Sequence, residues 1–503
     1  MNYRDYTLIT ADSRKVVPGA LFIAVRGHES DGHAYIQAAI DNGAKGIVCE
    51  EIPEGVHIPE SVATLGRVRG RGPLPQAVGG VGEADDSGMC TPSGIEFEVV
   101  ENSRKALALI ADEYYGHPSG KLTLVGITGT NGKTTTVTLL YRLFKGMGYS
   151  CGLLSTIANY VDDERIETTN TTVDPITLNS LLARMVDKGC QYCFMEVSSI
   201  GVEQDRVTGL EFAMGIFSNL THDHLDYHKT FAEYLRCKKL FFDNLPAKAI
   251  ALINTDDKHG NVMVQNTSAK IVSYSVKGLA DHTARVMEQS FDGMLLKVDG
   301  TEVWCRLIGE HNAYNLLAIY SAAVCLGAKP EETLIALSSL EPAPGRLENL
   351  NGPRGLSVII DYAHTPDALE NVLKTLRAIA PKRQLICLFG CGGDRDRTKR
   401  PEMAKIAEDL ADRLVITSDN PRTEVPSAII DEIKSGLTTK GLAKSIVIED
   451  RREAIRTAIL TAPECATILL AGKGHETYQI VGREKRHFDE KEIVTETFKL
   501  IMQ

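Results

Sequence analysis

The chain has 503 residues, more than one hydrophobic core usually serves, and its length predicts about three domains of roughly 150 residues each. Its composition, 43% hydrophobic and 24% charged, is that of an ordinary globular protein and excludes a disordered or fibrous chain. A net charge of −11 argues against a nucleic-acid partner. We find neither a signal segment nor a run of about 18 apolar residues, and we therefore expect a cytoplasmic protein with no membrane insertion.

The first 119 residues are predicted to form a small α/β domain. LFIAV and GIVCE are short apolar runs typical of strands, and YIQAAIDNGA between them has the apolar spacing of a helix. About 35 residues, from 62 to 94, are rich in Gly, Pro and Arg, which predicts an exposed, mobile insertion in this domain.

Residues 120–345 begin with the pattern of a nucleotide-binding α/β domain. LTLVGI is an apolar strand, TGTNGKTTT a Gly-rich loop, and VTLLYRLFKGMGY has helical spacing. Further strands are predicted at CFMEV, FAMGIFSNL and AIALIN, followed by a hairpin that turns at Asp299 and Gly300. The helix GEHNAYNLLAIYSAAVCLGA is expected to close the domain.

The cysteines of the chain do not indicate a disulfide framework or a metal site. There are 11, an odd number without regular spacing, which favours reduced thiols in a reducing compartment. Cys190 and Cys193 form a lone CxxC in an apolar stretch, and core packing explains that pair better than zinc or redox chemistry.

Residues 346–503 follow the Pro-rich link EPAPGR and alternate strand and helix. The strands are predicted at LSVIIDYAH, QLICLF, RLVITSD, SIVIED and TILLAG. This order predicts a second doubly wound parallel sheet.

The Gly-rich loop from Gly126 to Thr135 carries the strongest chemical signal. A strand-to-helix turn presents backbone amides that can hold phosphates, Lys133 can reach the β and γ phosphates, and Thr134 can contribute a hydroxyl to Mg²⁺. The strict GxxxxGK[ST] pattern is not met, because Ile127 stands five positions before Gly132. A Gly-rich turn without function is the alternative, but Gly-Lys-Thr between an apolar strand and a helix favours phosphate binding.

GTNGKT with this offset resembles the Mur ligase and folylpolyglutamate synthetase superfamily, and other landmarks of that family follow in order along nearly the whole chain. The resemblance implies an α/β protein of three domains. These are an N-terminal uridine-binding domain (1–119), a central P-loop-type ATP-binding domain with a parallel sheet (120–345), and a C-terminal Rossmann-like, doubly wound domain that binds an amino acid (346–503). It also implies ATP as co-substrate and two Mg²⁺ ions, and we expect a monomer.

The resemblance assigns the metal ligands to three motifs besides Thr134. Glu196 in MEVSS supplies a hard oxygen donor, and His224 in THDHLDYH binds the second Mg²⁺, although its three histidines also permit a zinc reading. Lys238 in EYLRCKKLFF matches the lysine that carries a carbamate (N6-carboxylysine), which requires the free amine. Lys239 is the neighbouring alternative, and an exposed, solvated helix face is the plainer interpretation of both lysines.

ATP binding is assigned to the phosphate loop and to three residues that contact base and ribose. Apart from the resemblance, Asn315 reads as a polar residue on a helix surface and Arg346 as a linker charge. The complete set is Gly129, Thr130, Asn131, Gly132, Lys133, Thr134, Thr135, Asn315, Arg346 and Asp361.

The UDP-muramoyl peptide is assigned to residues of the first two domains, with Ser13 and His28 on the uridine side. Many relatives have histidine after EVSS, whereas this chain has Ile200. The remaining residues of this set are Thr171, Thr172, Ser198, Gln204 and Arg206.

Selection of the incoming amino acid is assigned to Asp419, Asn420, Pro421 and Arg422, which follow the strand RLVITS. DNPR resembles the branch of the family that adds diaminopimelate. Diaminopimelate has a second carboxylate at its far end, which an arginine fork binds through two charge-assisted hydrogen bonds, whereas lysine has only an ammonium there. Supporting contacts are expected from Arg395, Gly472 and Glu476.

The implied reaction belongs to peptidoglycan biosynthesis. The glutamate carboxylate of UDP-N-acetylmuramoyl-L-alanyl-D-glutamate takes the γ-phosphate of ATP, and the amine of meso-diaminopimelate then attacks the acyl phosphate. A lysine-adding ligase and a folylpolyglutamate synthetase are the nearest alternatives. A P-loop ATPase or kinase, and a nucleotide-sensing protein without enzymatic activity, come from other classes.

Overall fold

The computed structural model describes residues 1–27, 30–54, 56, 68–69, 94–168, 170–221 and 225–502. These residues form two compact units. The first comprises Met1–Thr123, Thr172–Gln191 and Ile200–Glu211, and the second comprises Leu124–Thr171, Tyr192–Ser199 and Phe212–Gln503. Within the described ranges, no helix is both long and apolar enough to span a membrane.

The first unit contains a five-stranded sheet in the order β1-β2-β3-β5-β4, in which every pair is parallel. Apolar side chains pack on both faces of this sheet, and β1, β2 and β3 are buried throughout. The strands are β1 (Ile9–Thr10), β2 (Leu21–Ile23), β3 (Gly46–Cys49), β4 (Val68–Arg69) and β5 (Glu96–Val99). The helices of the N-terminal region are α1 (Ile36–Asp41) and α2 (Ser103–Tyr114).

The second unit contains an eleven-stranded sheet with a parallel centre and antiparallel ends. Its order is β16-β15-β14-β13-β12-β11-β6-β10-β7-β8-β9. The strands are β6 (Thr123–Thr128), β7 (Cys151–Leu154), β8 (Asn159–Val161), β9 (Glu164–Ile166), β10 (Tyr192–Glu196), β11 (Phe212–Phe217), β12 (Ile250–Asn254), β13 (Lys270–Ser275), β14 (His282–Ser290), β15 (Gly293–Val298) and β16 (Thr301–Cys305). Asp299 and Gly300 form the predicted two-residue turn between β15 and β16, both with positive φ.

Helices α3 and α9 pack apolar side chains against this sheet and contribute many buried residues to one continuous core. Both helices carry predicted site residues, since α3 starts at Lys133 and α9 includes Asn315. The helices are α3 (Lys133–Gly146), α4 (Pro175–Asp187), α5 (Ser199–Glu203), α6 (Leu225–His228), α7 (Phe231–Asp243), α8 (Gly260–Met263), α9 (Glu310–Cys325) and α10 (Pro330–Ser338). Helix α4 and most of α5 belong to the first unit.

The C-terminal part of the second unit contains a six-stranded sheet in the order β17-β18-β22-β19-β20-β21, parallel except for the edge pair β17–β18. Apolar clusters fill both of its faces, as expected of a doubly wound sheet. The strands are β17 (Glu348–Asn351), β18 (Ser357–Asp361), β19 (Leu385–Phe389), β20 (Arg413–Ile416), β21 (Ser445–Val447) and β22 (Thr467–Ala471), and a separate hairpin consists of β23 (Tyr478–Val481) and β24 (Glu484–His487).

Six helices accompany this sheet, and most begin with a proline or a capping side chain. They are α11 (Pro366–Ile379), α12 (Lys399–Leu410), α13 (Pro426–Lys434), α14 (Thr439–Ala443), α15 (Arg451–Leu460) and α16 (Glu490–Met502). The three sheets, mostly parallel and covered by helices, confirm the predicted α/β class. Most of the predicted 62–94 insertion lies outside the described residues.

Candidate active site

The predicted phosphate-binding loop, called the phosphate loop below, runs from Gly129 to Gly132 between the end of β6 and the start of α3. Close contacts require glycine at two of its positions. A Cβ on Gly129 would lie 1.9 Å from the Ser218 hydroxyl, and a Cβ on Gly132 would lie 2.5 Å from Asn315 Oδ1. Both glycines have positive φ, 153° and 88°. The loop therefore has room for backbone only, which leaves the amides at the start of α3 in position to face an anion.

Lys133 is the first residue of α3, and its ammonium group lies over the loop. Its Nζ donates hydrogen bonds to the carbonyl oxygens of Gly129 (2.8 Å) and Thr130 (2.9 Å). Thr134 and Thr135, which follow it, are buried. The amide of Thr130 donates to the Asn219 carbonyl oxygen, which anchors the loop to the segment that follows β11.

A cavity of about 510 Å³ opens beside this loop. Six of the residues predicted to bind ATP line it, namely Asn131, Gly132, Thr135, Asn315, Arg346 and Asp361. The same cavity is lined by residues that the sequence analysis did not single out, among them Asp256, Asp257, His311, Tyr314 and Asp367. His311 lies one helical turn before Asn315 in α9. This spacing of four residues could have indicated from the sequence that the two side chains share one face of the helix.

Asp361 and Arg346 form a charged wall of the cavity. Asp361 ends β18, and its carboxylate accepts hydrogen bonds from the amides of Leu347 (2.7 Å) and Ala363 (2.8 Å). Burial raises the pKa of the Asp361 carboxyl, and the Arg346 guanidinium opposes that rise. Arg346 stacks over the Tyr362 ring at 4.8 Å, and its buried Nε has no hydrogen-bond partner among the described residues.

His311 contributes an uncharged imidazole to the same cavity. Burial lowers its pKa to about 4, so the ring is neutral near pH 7. A neutral ring can face a nucleotide base without the desolvation cost of a cation.

Asp367, at the start of α11, joins the phosphate loop to the C-terminal part of the unit. Its Oδ2 accepts hydrogen bonds from Asn131 Nδ2 (2.9 Å) and Thr221 Oγ1 (3.2 Å), and burial raises the pKa of its carboxyl. Only the tertiary structure reveals this contact, because 236 residues separate Asn131 from Asp367.

The predicted metal ligands that the structure describes are buried close to the phosphate loop. Glu196 ends β10, is 1% exposed, and accepts hydrogen bonds at Oε1 from the amide and the hydroxyl of Thr156, at 2.8 and 3.0 Å. His224 lies outside the described residues. Within the described ranges, no group of three or more His, Cys, Asp or Glu side chains could hold a metal ion.

Lys238 is buried on α7, which contradicts the interpretation of an exposed, solvated side chain at this position. It is 1% exposed, and its Nζ donates to the Gly129 carbonyl oxygen at 2.8 Å and lies 4.6 Å from the centre of the Tyr234 ring. Lys239 instead forms an ion pair with Asp243 at 2.6 Å. Of the two lysines, Lys238 is the one that contacts the phosphate loop.

The residues predicted to bind the UDP-muramoyl peptide are divided between the two units. In the first unit, Arg206 donates to the carbonyl oxygen of the buried Thr172 and, through Nε and Nη2, to Gln204 Oε1 at 3.1 and 2.6 Å. Ser13 lies at the start of a short 3-10 helix in the same unit. His28 lies outside the described residues.

The other two residues of this set belong to the second unit. Thr171 Oγ1 lies 3.1 Å from the hydroxyl oxygen of Thr156, whose proton is donated to Glu196, so the Thr171 hydroxyl is the donor in this contact. Ser198 follows β10 by two positions and is partly buried.

The loop Asp419–Arg422 follows β20, at the carboxyl end of the parallel sheet. Arg422 has a positive φ of 51°, and its backbone pairs with the hairpin β23–β24, since its amide donates to the Ile480 carbonyl oxygen. Its Nη1 donates to the Gly393 carbonyl oxygen at 2.8 Å. Among the described residues, no hydrogen bond involves Nε or Nη2 of Arg422, and these donors can form a carboxylate fork.

The supporting residues surround the same loop. Asn420 Nδ2 donates to Glu476 Oε2 at 2.8 Å. A Cβ on Gly472 would lie 2.6 Å from Asp419 Oδ2, so only glycine permits this approach. Arg395 is exposed and donates to the Asp394 carbonyl oxygen at 3.0 Å.

Sequence profiles of three Mur ligase domains match the chain. The profile described as "Mur ligase family, catalytic domain" matches residues 5–68, "Mur ligase middle domain" matches residues 127–323, and "Mur ligase, glutamate ligase domain" matches residues 345–474.

Curated relatives match nearly the whole chain. One from Parabacteroides distasonis is 49% identical over 98% of this chain and 95% of its own length, and one from Clostridium botulinum is 39% identical over 99% and 96%. Both are named UDP-N-acetylmuramoyl-L-alanyl-D-glutamate–2,6-diaminopimelate ligase.

Solved structures agree with this likeness. A structure of a UDP-N-acetylmuramoyl-L-alanyl-D-glutamate–2,6-diaminopimelate ligase superimposes with a TM-score of 0.66 at 29% identity, covering 99% of this chain and 96% of that one. A MurF ligase from Thermotoga maritima in complex with ADP, 18% identical, shares the fold with a TM-score of 0.60 over 99% and 98% of the two chains.

Proposed function

The chain belongs to the Mur ligase family, and from that premise we propose that it is the ATP-dependent ligase that adds meso-2,6-diaminopimelate to UDP-N-acetylmuramoyl-L-alanyl-D-glutamate in peptidoglycan biosynthesis. The observation that carries the proposal is 49% identity, over 98% of the chain, to a relative of that name. The alternatives, a lysine-adding ligase, a folylpolyglutamate synthetase and a simple P-loop ATPase, have no comparable support.

ATP is proposed to occupy the cavity beside the phosphate loop. The amides at the start of α3 and the Lys133 ammonium would hold the phosphates, for which Lys133 must exchange its contacts with Gly129 and Thr130 for the ligand. Asn315, Arg346 and Asp361 would contact base and ribose, a role supported by their common position in the cavity wall.

Two Mg²⁺ ions are part of the proposal, with Thr134, Glu196, His224 and carbamylated Lys238 as ligands. The oxygen donors of Thr134, Glu196 and carbamylated Lys238 fit, because hydroxyl and carboxylate oxygens are the ligands that Mg²⁺ prefers. Bound Mg²⁺ neutralises charge on the transferring phosphoryl group. Burial of Lys238 supports carbamate formation, since burial favours the neutral amine that reacts with carbon dioxide, losing one proton.

The reaction needs no protein nucleophile. The glutamate carboxylate of the precursor attacks the γ-phosphorus of ATP, ADP leaves, and an acyl phosphate forms. The uncharged amine of diaminopimelate then attacks the acyl carbon, phosphate leaves, and the amine loses a proton as the peptide bond forms. The chain's contribution is to hold the three substrates in line and to stabilise the developing charge.

Diaminopimelate is proposed to lie against the loop Asp419–Arg422, with Arg395 and Gly472 beside it. The Nε and Nη2 donors of Arg422 would bind the far carboxylate, and Glu476 would bind the far ammonium group. Lysine has no carboxylate at that end, so the Arg422 guanidinium repels its ammonium group and favours diaminopimelate.

The UDP-muramoyl peptide is proposed to contact Ser13, His28, Thr171, Thr172, Ser198, Gln204 and Arg206. The boundaries 1–119, 120–345 and 346–503, a monomeric state and a cytoplasmic location also remain proposals. The location is supported by the cysteines, because all ten in the described residues are free thiols.

Phosphate release and amino-acid incorporation test the proposal. We expect release that requires both UDP-N-acetylmuramoyl-L-alanyl-D-glutamate and meso-diaminopimelate, with tripeptide product in equal amount. Release without the precursor would instead favour an ATPase. Incorporation of lysine as readily as of diaminopimelate would contradict the role given to Arg422.

A further inference from the structure

Lys473 is a fully buried cation behind the loop Asp419–Arg422. It lies between two glycines just after β22, and its side chain is 0% exposed. Its Nζ donates hydrogen bonds to Asn420 Oδ1 at 3.1 Å and to Glu476 Oε2 at 3.0 Å, and it lies 3.9 Å from Asp419 Oδ1. One ammonium group thus contacts three residues that we propose to surround diaminopimelate.

These contacts fix the orientation of two side chains. Asn420 Oδ1 accepts from both Lys473 and the Ile480 amide (2.9 Å), which turns the Asn420 amide nitrogen toward Glu476. Glu476 Oε2 therefore accepts two hydrogen bonds inside the protein. Among the described residues none reaches its Oε1, which leaves that oxygen for a ligand.

A role in stability alone does not explain a charge at this position. Taking an ammonium group fully out of water is costly, and apolar residues of similar volume often stabilise a fold as well or better than a buried ion pair. The Lys473 ammonium lies between the rings of Tyr478 and Phe488, at 5.7 and 5.8 Å from their centres, so methionine could fill the same space. Methionine, however, has no hydrogen-bond donor for Asn420 and Glu476.

We infer that Lys473 is a positioning residue that holds Asn420 and Glu476 in the orientation that recognises the far end of diaminopimelate, an inference that rests on the function proposed above. Lys473 acts through Glu476 and Asn420 and touches no substrate. Removing it leaves Glu476 partly buried without its counter-ion and lets the Asn420 amide turn. We therefore expect weaker binding of the amino-acid substrate. Binding of ATP should not change, because Lys473 does not line the proposed ATP cavity.

The test compares Lys473→Met with Lys485→Met in steady-state phosphate-release assays. Lys485 is the matched control, because it is exposed on the neighbouring strand β24 and also lies over the Tyr478 ring, at 3.7 Å. We expect Lys473→Met to raise the KM for diaminopimelate by about 10- to 100-fold. The KM values for ATP and for the UDP precursor should stay at the wild-type level. Lys485→Met should match the wild type.

The outcomes separate the inference from the proposed function. If the wild type shows no diaminopimelate-dependent release, the proposed function fails and the inference fails with it. If the wild type is active and Lys473→Met keeps its KM for diaminopimelate, or raises all three KM values equally, the inference alone is rejected. Lys473→Gln, which retains an uncharged N–H₂ donor group, should raise the KM for diaminopimelate less than Lys473→Met does. The glutamine variant tests the inference if the methionine variant does not fold.

Discussion

Arg422 illustrates what a single residue contributes to the proposed site. A non-glycine residue with positive φ costs conformational energy, and such residues persist where surrounding contacts impose them. Here the backbone of Arg422 is held by hydrogen bonds to Ile480 and Gly482 of the neighbouring hairpin, and its Nη1 by Gly393. The remaining donors of the guanidinium are thereby directed without any bound ligand.

We expect Arg422→Ala to weaken binding of diaminopimelate selectively. Loss of a charge-assisted fork should raise the KM for diaminopimelate by about 10- to 100-fold, while the KM for ATP stays unchanged. Steady-state kinetics with each substrate varied in turn measures both. Arg483→Ala, at the exposed turn of the hairpin, is the control. Equal effects on the two KM values would refute the assignment.

Helix α3 is an element that contributes to the stability of the fold and, in our proposal, to the binding of ATP. Its two ends each carry a glycine with nearly the same backbone, Gly132 with φ 88° before the helix and Gly148 with φ 91° after it. Their surroundings differ, because a Cβ on Gly132 meets Asn315 Oδ1 at 2.5 Å, whereas a Cβ on Gly148 meets nothing within 4 Å. Alanine substitutions at these two glycines therefore distinguish the effect of backbone strain from the effect of a steric clash at the phosphate loop.

We expect Gly148→Ala to cost about 1–2 kcal/mol of stability through backbone strain, with no change in the KM for ATP. Gly132→Ala should cost more stability and also raise the KM for ATP, because it displaces Asn315 and the loop. Thermal unfolding and ATP kinetics of the two variants provide the comparison. If Gly132→Ala binds ATP like Gly148→Ala, the loop is not the phosphate site.

At the scale of the whole molecule, we expect stability at low pH to depend on buried ion pairs near the loop Asp419–Arg422. Arg400 is fully buried and donates to both oxygens of Glu424, at 2.9 and 3.0 Å, and to Glu432 at 2.8 Å. Mainly through these bonds to Arg400, the pKa of Glu424 falls from 4.5 to about 2. A carboxyl group with a pKa lowered by folding stabilises the folded state above its unfolded pKa.

The unfolding temperature of the wild type should therefore fall as the pH decreases from about 4.5 toward about 2, the interval over which Glu424 loses its charge in the unfolded and then the folded state. Glu424→Gln should be less stable than the wild type at pH 7, and the difference should shrink across this interval. Glu464→Gln, at an exposed site, is the control. A constant difference at all pH values would contradict the role of Glu424.

Much of the fold could be predicted from local sequence. Apolar runs located β6, β18, β19 and β22, and the spacing of GTNGKT located the predicted phosphate loop before α3. The turn at Asp299 and Gly300 followed from its residue types. The antiparallel strands β8, β9, β23 and β24 were not anticipated, since they are short and contain polar residues, which leaves only a weak strand pattern in the sequence.

Sequence by itself determined the α/β class and the position of the Gly-rich loop, and it predicted which residues can bind a carboxylate or a metal, because these depend on side-chain chemistry and on spacing along the chain. Tertiary structure alone decided that Lys238 and Lys473 are buried, that Asp367 contacts Asn131, and that the hairpin β23–β24 holds Arg422. The physical reason is that burial and the partner of a charged side chain are set by long-range packing, which leaves no periodic pattern in the sequence.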